Sequence, residues 1–470
     1  MNRKLWISTA IVALLGVSVF LWTAYVKDSQ PKVVLKHEES TASHQDDVDD
    51  RTRCIGVWED YVVLIEKESV VCEYVNGSVI MRVEAIRMEP LRSTLDDNTQ
   101  KPLYYDDVLS FFSAGDHYYL SKGGDLSSRL QGGLDDDYFV YNRRMLIGFD
   151  NAIATKNQLE LKSKYKPVRL IRGAVMYSEF QDGLKAWLIS RHSPVYHGPR
   201  LEAVGCNQDG DCAMTVETEL VFKTKDDIIA SYCILRGSAP VKWSMPKNPL
   251  NPNIYPQVDP DLQVNTEILR KHTAKLERLY GNPVVILNLL EGKKREVGLK
   301  EMIGNAAELA NVKLIEFPMH TIVHQHGNKW GEHLAGAFNY KEHGFYLKDL
   351  KGDIKRKQSG IIRVNCLSVL DRTSGAQALL TRLLLPEMLH SIDSTSQLTK
   401  INDWLRMAWA TTADTISWQV GGSMAEQTAL ILYDDYSYAG IIYNKLQSLV
   451  RHVMSNWSHD RLYAVMKAIL

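Results

Sequence analysis

None of the six cysteines forms a Cys-x-x-Cys pair or a zinc-ribbon spacing, so a cysteine framework or cysteine-rich metal centre is not expected. Charge of one sign is also lacking: 55 Lys and Arg stand against 56 Asp and Glu, a net charge of −1. Such a chain has no global field to draw it to nucleic acid or to an anionic surface, so any attraction to anions must be local. His320, His324, His326 and His333 cluster without a His-Glu-x-x-His spacing and without a paired carboxylate. No metal and no cofactor is therefore expected. No internal repeat is visible, which argues against solenoids. What remains is ordinary globular material, 45% hydrophobic and 24% charged, and 470 residues suggest two or three domains.

Leu5 to Val26 is a run of 22 residues without a charge, preceded by Arg3 and Lys4. A helix rising ~1.5 Å per residue makes that long enough for a bilayer core of about 30 Å. A cleaved signal peptide is the rival reading, but it expects a shorter apolar core and a small-residue cleavage site. Trp22 and Tyr25 sit at the end of the run, where interfacial aromatics belong, so residues 1–26 read as a single-pass transmembrane anchor. Basic residues flank it about equally, which leaves orientation undecided. Residues 27–53 turn polar and acidic and read as a flexible linker.

Residues 54–175 carry short apolar runs broken by turns, and Asn76-Gly77 between two of them signals a hairpin. This part reads as a mainly β subdomain. In residues 176–470, strand-like Val284 to Leu290 lies among helix-like stretches at 266–280, 299–309, 373–389, 404–413 and 440–456. That alternation predicts an α/β domain.

The chemistry concentrates at Gly360 to Gly375. A β-branched run ends in Asn365-Cys366, five residues separate Cys366 from Arg372, and a Leu-rich helical segment follows. A strand, a tight loop and a helix N-terminus aim several backbone N–H groups at one point, which makes an anion site. The same groups stabilise a thiolate at Cys366, a nucleophile. Arg372 supplies a planar fork for two phosphoryl oxygens. Attack would give a phosphocysteine that water then hydrolyses. The loop backbone and side chains of Asn365, Ser368, Val369, Leu370 and Thr373 would line the anion, with sulfur and guanidinium in one cavity. The competing structural reading is a buried cysteine at a strand end and an unrelated arginine.

Arg363-Val364-Asn365-Cys366 with Leu370-Asp371-Arg372-Thr373 resembles the signature of Sac-type phosphoinositide phosphatases. Ser190-Arg191-His192-Ser193, Gly198-Pro199-Arg200, Val216 to Glu219, Arg236-Gly237-Ser238-Ala239-Pro240 and Trp243-Ser244 resemble other family segments in the same order. So do Trp409-Ala410, Asp414, Ile416-Ser417, Gln419 and Gly422, and, upstream, Phe111-Phe112-Ser113, Asp125-Leu126 and Tyr138 to Asn142. The resemblance covers roughly residues 105–470. It implies a β-rich subdomain packed on an α/β catalytic domain, with phosphoinositide monophosphates, often phosphatidylinositol 4-phosphate, as substrates.

Two positions depart from the family's pattern. Ser368 stands where the family usually has Asp, and Ser374 where it has Asn. With that loop carboxylate missing, Asp371 is left either to donate the leaving-group proton or to hold the loop backbone. Arg200, in a matched block, is a candidate second anion contact, and Lys329 and Arg363 are further candidates. Lys341 to Arg363 carries seven basic and three acidic residues, a candidate rim for anionic headgroups at a membrane surface. The expected function is a phosphoinositide phosphatase whose catalytic part faces the cytosol, because phosphoinositides lie mainly in cytosol-facing leaflets. A catalytically weak or dead lipid-binding scaffold and a phosphoprotein phosphatase are the alternatives.

Overall fold

The computed structural model describes residues 51–91, 101–113, 117–132, 137–156, 159–248, 250, 254–434, 438–457 and 459–470. The first half supplies β1 (Thr52–Trp58), β2 (Tyr61–Glu73), β3 (Val79–Pro90), β4 (Tyr118–Lys122) and β5 (Tyr165–Pro167). Asn76-Gly77 turns β2 into β3, with Gly77 at φ 80°, as the hairpin signal predicts. Then come β6 (Ile171–Glu179), β7 (Lys185–His192), β8 (Val216–Lys223) and β9 (Ile229–Arg236), an antiparallel meander. A short ribbon, β10 (Trp243–Ser244) with β11 (Gln257–Val258), precedes β12 (Val284–Asn288) and β13 (Lys313–Glu316). The last strands are β14 (Tyr346–Lys348), β15 (Ile354–Arg356) and β16 (Ile361–Asn365).

One 14-stranded sheet runs through both halves in the order β13-β12-β16-β9-β8-β7-β6-β4-β3-β2-β1-β5, with β14 pairing β9 and β15 pairing β14 off this path. Its character changes along the way. From β9 through β3 neighbours are antiparallel, while β13, β12, β16 and β9 run parallel to one another. Every residue of β12 and of β16 is buried, as strands covered on both faces require. Helices Asp371–Ser391 and Leu398–Gly421 pack on that region around Leu380, Leu384, Leu405 and Trp409. A second core gathers Phe111, Phe112, Tyr118 and Tyr141 of the first half with Val465 and Met466 of the final helix. The described first half and the final helix are thus tied together by apolar burial, worth ~1.5–3 kcal/mol per large side chain.

The fold is mixed α/β, and the anchor expectation needs correcting. Among the described residues no helix is long and apolar enough to cross a membrane. The apolar run at 5–26 and the linker at 27–53 up to residue 50 lie outside the described residues. A single-pass transmembrane helix, and the membrane localisation that rested on it, are therefore not carried forward.

Candidate functional site

Parallel strands place their following loops at one edge, and in open α/β sheets ligands bind at that carboxyl edge. The segments after β9 (Gly237, Ser238), β12 (Leu289 to Glu296) and β16 (Cys366 to Leu370) meet there. The β-branched run of β16 stops at Asn365, whose amide donates to Asn288 Oδ1 at 2.7 Å and so locks β16 to β12. The loop then turns through Val369 at φ 59°, a left-handed conformation rare for a β-branched residue. Strain of this kind concentrates where function holds a loop in shape. Helix Asp371–Ser391 begins at once, with Ser374 N–H donating to Leu370 O at 2.9 Å.

Cys366 is fully buried. Thr373 Oγ1 donates to its sulfur at 3.3 Å, and Ser368 Oγ lies 4.0 Å from the same sulfur. Three buried arginines interact electrostatically with Cys366. Burial pushes the Arg372 guanidinium down, but the Cys366 sulfur, Glu296 and Glu291 leave it above the usual range. Arg451 is treated alike: burial lowers it, while Asp371, Glu426 and Cys366 raise it further. Arg236 is pushed down to about 10 by burial, against the pull of Cys366 and Asp371.

Arg372 does not face an open cavity with the sulfur. Its guanidinium grips Glu296 at 2.7 and 2.9 Å and donates to Leu289 O at 3.0 Å. Burial raises the Glu296 carboxyl, and the hydrogen bonds and charge of Arg372 more than reverse it. Asp371 is likewise committed. Arg451 reaches its two oxygens at 2.6 and 3.2 Å, and Glu426 N–H donates to it as well. Burial raises Asp371, but Arg451 and these bonds hold it below the usual carboxylate range. A carboxylate so held keeps its charge and fixes the helix start.

The other expected residues scatter. Arg363 is buried in β16, donating to Asn365 Oδ1 at 2.9 Å and to Ser238 O, and so supports the loop from below. Lys329 is exposed on a short turn and does not line the cleft beside the loop. In the basic stretch, Lys341 and Arg356 both pair with Glu387, and Lys355 pairs with Asp349. Among the described residues, the one group close enough to share a metal is Cys206, Cys212 and His272. Its two sulfurs are bonded to each other across the turn at 207–211.

Arg200 does reach the site. It lines a small cleft with Arg295, Ser238, Leu367, Ser368, Trp243 and His452. The cleft holds about 30 Å³, room for about two waters. Burial, then the charge of Arg451, push Arg200 down to about 10. The loop as it stands is closed over the sulfur, and the cleft is the opening beside it. Sequence reasoning missed Glu296, Arg451 and His452 as neighbours of the loop. Arg236 sat in plain view in the Arg-Gly-Ser segment, yet only pairing β9 beside β16 brings it under the loop.

These features define a mixed α/β protein with a cysteine loop and a ring of arginines at the carboxyl edge of its parallel strands. Residues 53–324 match the SacI homology domain, and the chain belongs to that family. Human synaptojanin-1 is 30% identical over 366 residues, covering 73% of this chain and 22% of the human protein. The Arabidopsis thaliana phosphoinositide phosphatase SAC6 is 26% identical over 285 residues, covering 58% of this chain and 47% of the plant protein. Zebrafish phosphatidylinositol-3-phosphatase SAC1-A is 28% identical over 287 residues, again 58% of this chain and 47% of the relative. The chain thus spans less than half the length of each of these three relatives.

Proposed function

We propose that this chain is a phosphoinositide phosphatase that hydrolyses phosphatidylinositol monophosphates, phosphatidylinositol 4-phosphate foremost, through a phosphocysteine at Cys366. Residues 176–470 form the catalytic part in this reading and residues 54–175 its β-rich support. Family membership supports the reaction class, as do the names of the plant and zebrafish relatives, the latter specifying the 3-phosphate. The observation that carries the reading is the Cys366 sulfur with Thr373 donating to it and three arginine charges around it. A sulfur so placed is the attacking atom in this reading.

The sulfur attacks phosphorus in line with the departing inositol oxygen, and Arg372 exchanges Glu296 for two phosphoryl oxygens as the loop opens. Asn365 and Arg363 hold the strand end in this scheme. The loop backbone from Ser368 through Leu370 and the Thr373 hydroxyl meet the phosphate, and Arg200 meets a second anionic group. Asp371 positions the helix through Arg451. The closed loop supports a second reading, a module that binds phosphoinositides without turning them over.

Phosphate release from vesicles carrying each phosphoinositide in turn separates the two and identifies the position cleaved. Release by the wild type and none by Cys366→Ser is expected. Full release by Cys366→Ser would falsify the phosphocysteine, and binding without release by the wild type would leave the scaffold.

A further inference from the structure

The cleft beside Ser368 has lining groups that the reaction above leaves without a role. Its polar lining comes from Arg200, Arg295, Ser238, Ser368 and His452, and no described carboxylate lines it. Breaking the phosphorus–oxygen bond leaves an electron pair on an inositol oxygen, a poor leaving group unless a proton reaches it as the bond breaks. Arginine keeps its proton at any working pH, and a serine hydroxyl is too weak an acid. Asp371 is engaged on both oxygens by Arg451. Only His452 in this lining is of a residue type that serves commonly as a general acid near neutrality.

The placement of His452 is fixed through its neighbours. Arg451, the residue before it on helix Tyr438–Trp457, ties that helix to Asp371 of the loop at 2.6 Å. Arg200 of the same cleft donates to Ser455, one turn further on, at 3.2 Å. The helix is therefore held to the catalytic loop before His452 and to Arg200 after it, and Ser368, which shares the cleft wall with His452, stands 4.0 Å from the Cys366 sulfur.

We propose that His452 is the proton donor to the leaving inositol oxygen, an inference that rests on the phosphatase reading. The Cys366 thiolate forms the sulfur–phosphorus bond as the phosphorus–oxygen bond breaks, and the imidazolium gives its proton to the departing oxygen, releasing the alcohol. In the second step water attacks the phosphocysteine, both its protons staying on the phosphate, and the now neutral imidazole regains its proton from solvent. The sulfur leaves as thiolate, and inorganic phosphate departs.

Leaving-group dependence tests this in the full chain. On phosphatidylinositol 4-phosphate vesicles, His452→Ala and His452→Gln should lose about 100-fold in kcat. On p-nitrophenyl phosphate, whose phenolate departs without a proton, the same variants should lose at most about threefold. A near-wild-type rate on the second substrate also shows that they fold. His320, exposed beside Arg372, serves as the rival, and His320→Ala should show no such split between substrates. Equal losses on both substrates, no loss on either, or a split carried by His320→Ala overturns the donor while leaving the phosphatase intact. Wild-type turnover of neither substrate, or Cys366→Ser active on both, overturns the phosphatase reading and the donor with it.

Discussion

Arg191 and Arg236 lie two strands apart in one sheet, on β7 and β9, and both are fully buried, yet their surroundings differ in kind. Arg191 donates to Glu217 at 2.9 Å, to Glu219 at 2.8 Å and to Leu126 O at 2.7 Å. The second oxygens of those carboxylates are filled by Tyr280 and the Leu130 N–H. Every charge there is answered from within the fold. Arg236 has Ser374 Oγ at 3.0 Å and Val369 O at 3.4 Å, with no carboxylate at ion-pair distance among the described residues. Its Nε and Nη2 have no hydrogen-bond partner among the described residues. Buried donors left unmade cost about 1–3 kcal/mol each, so a fold keeps them only where something else uses them. A buried arginine closed by carboxylates is structure. One left open near the Cys366 sulfur is where the proposed reaction would place an anion.

The comparison breaks most readily at Arg191. Arg191→Met leaves Glu217 and Glu219 as buried carboxylates without their cation, and unfolding in urea should show a loss of about 3–5 kcal/mol. Stability within about 1 kcal/mol of wild type would mean that the cluster is not structural. Arg236→Met is the mirror test. It removes unpaired buried donors at similar volume, so stability should stay within about 1 kcal/mol. Phosphate release should fall about 100-fold, equivalent to ~3 kcal/mol in the barrier. If Arg236→Met unfolds the protein and spares the rate of what remains folded, the contrast collapses.

The same contrast explains what the sequence made legible. Helices expected at 266–280, 299–309, 373–389, 404–413 and 440–456 are found at Leu262–Tyr280, Val297–Ala310, Asp371–Ser391, Leu398–Gly421 and Tyr438–Trp457. Apolar spacing is local information, and Asp261 caps the first of them through two backbone N–H groups. The strand–loop–helix at Cys366 was equally local. Nothing local places Arg451 on Asp371 or Glu296 on Arg372, because 80 and 76 residues separate those partners. A carboxylate that closes an arginine is chosen by the tertiary fold, so the open and closed states of a site stay hidden in a linear reading. The same holds for Asp371, whose proton-donor role looked even with a structural one until Arg451 appeared beside it.

Asp414 carries the comparison to the opposite sign of charge and to the smallest effect. It is a buried carboxylate on helix Leu398–Gly421 that accepts from Ala425 N–H at 2.9 Å, with no cation at ion-pair distance among the described residues. Burial, with Asp371 adding to it, pushes its carboxyl up to about 7, against the Ala425 hydrogen bond and the charge of Arg451. In the unfolded chain an aspartate titrates near pH 4. The folded state therefore holds a proton that the unfolded state has lost, and stability falls as pH rises between those two values. The contribution is fully present below about pH 4 and gone once pH has passed about 7. Between pH 5 and 7 the loss from this group alone should be about 2 kcal/mol. Asp414→Asn keeps the oxygen that accepts from Ala425 and removes the titration. The difference in unfolding free energy between wild type and Asp414→Asn should thus slope with pH across that window. A difference that stays flat from pH 5 to 7 means that Asp414 is ionised in the folded protein, answered by Arg451 across the longer distance, and belongs with the closed cluster rather than the open one.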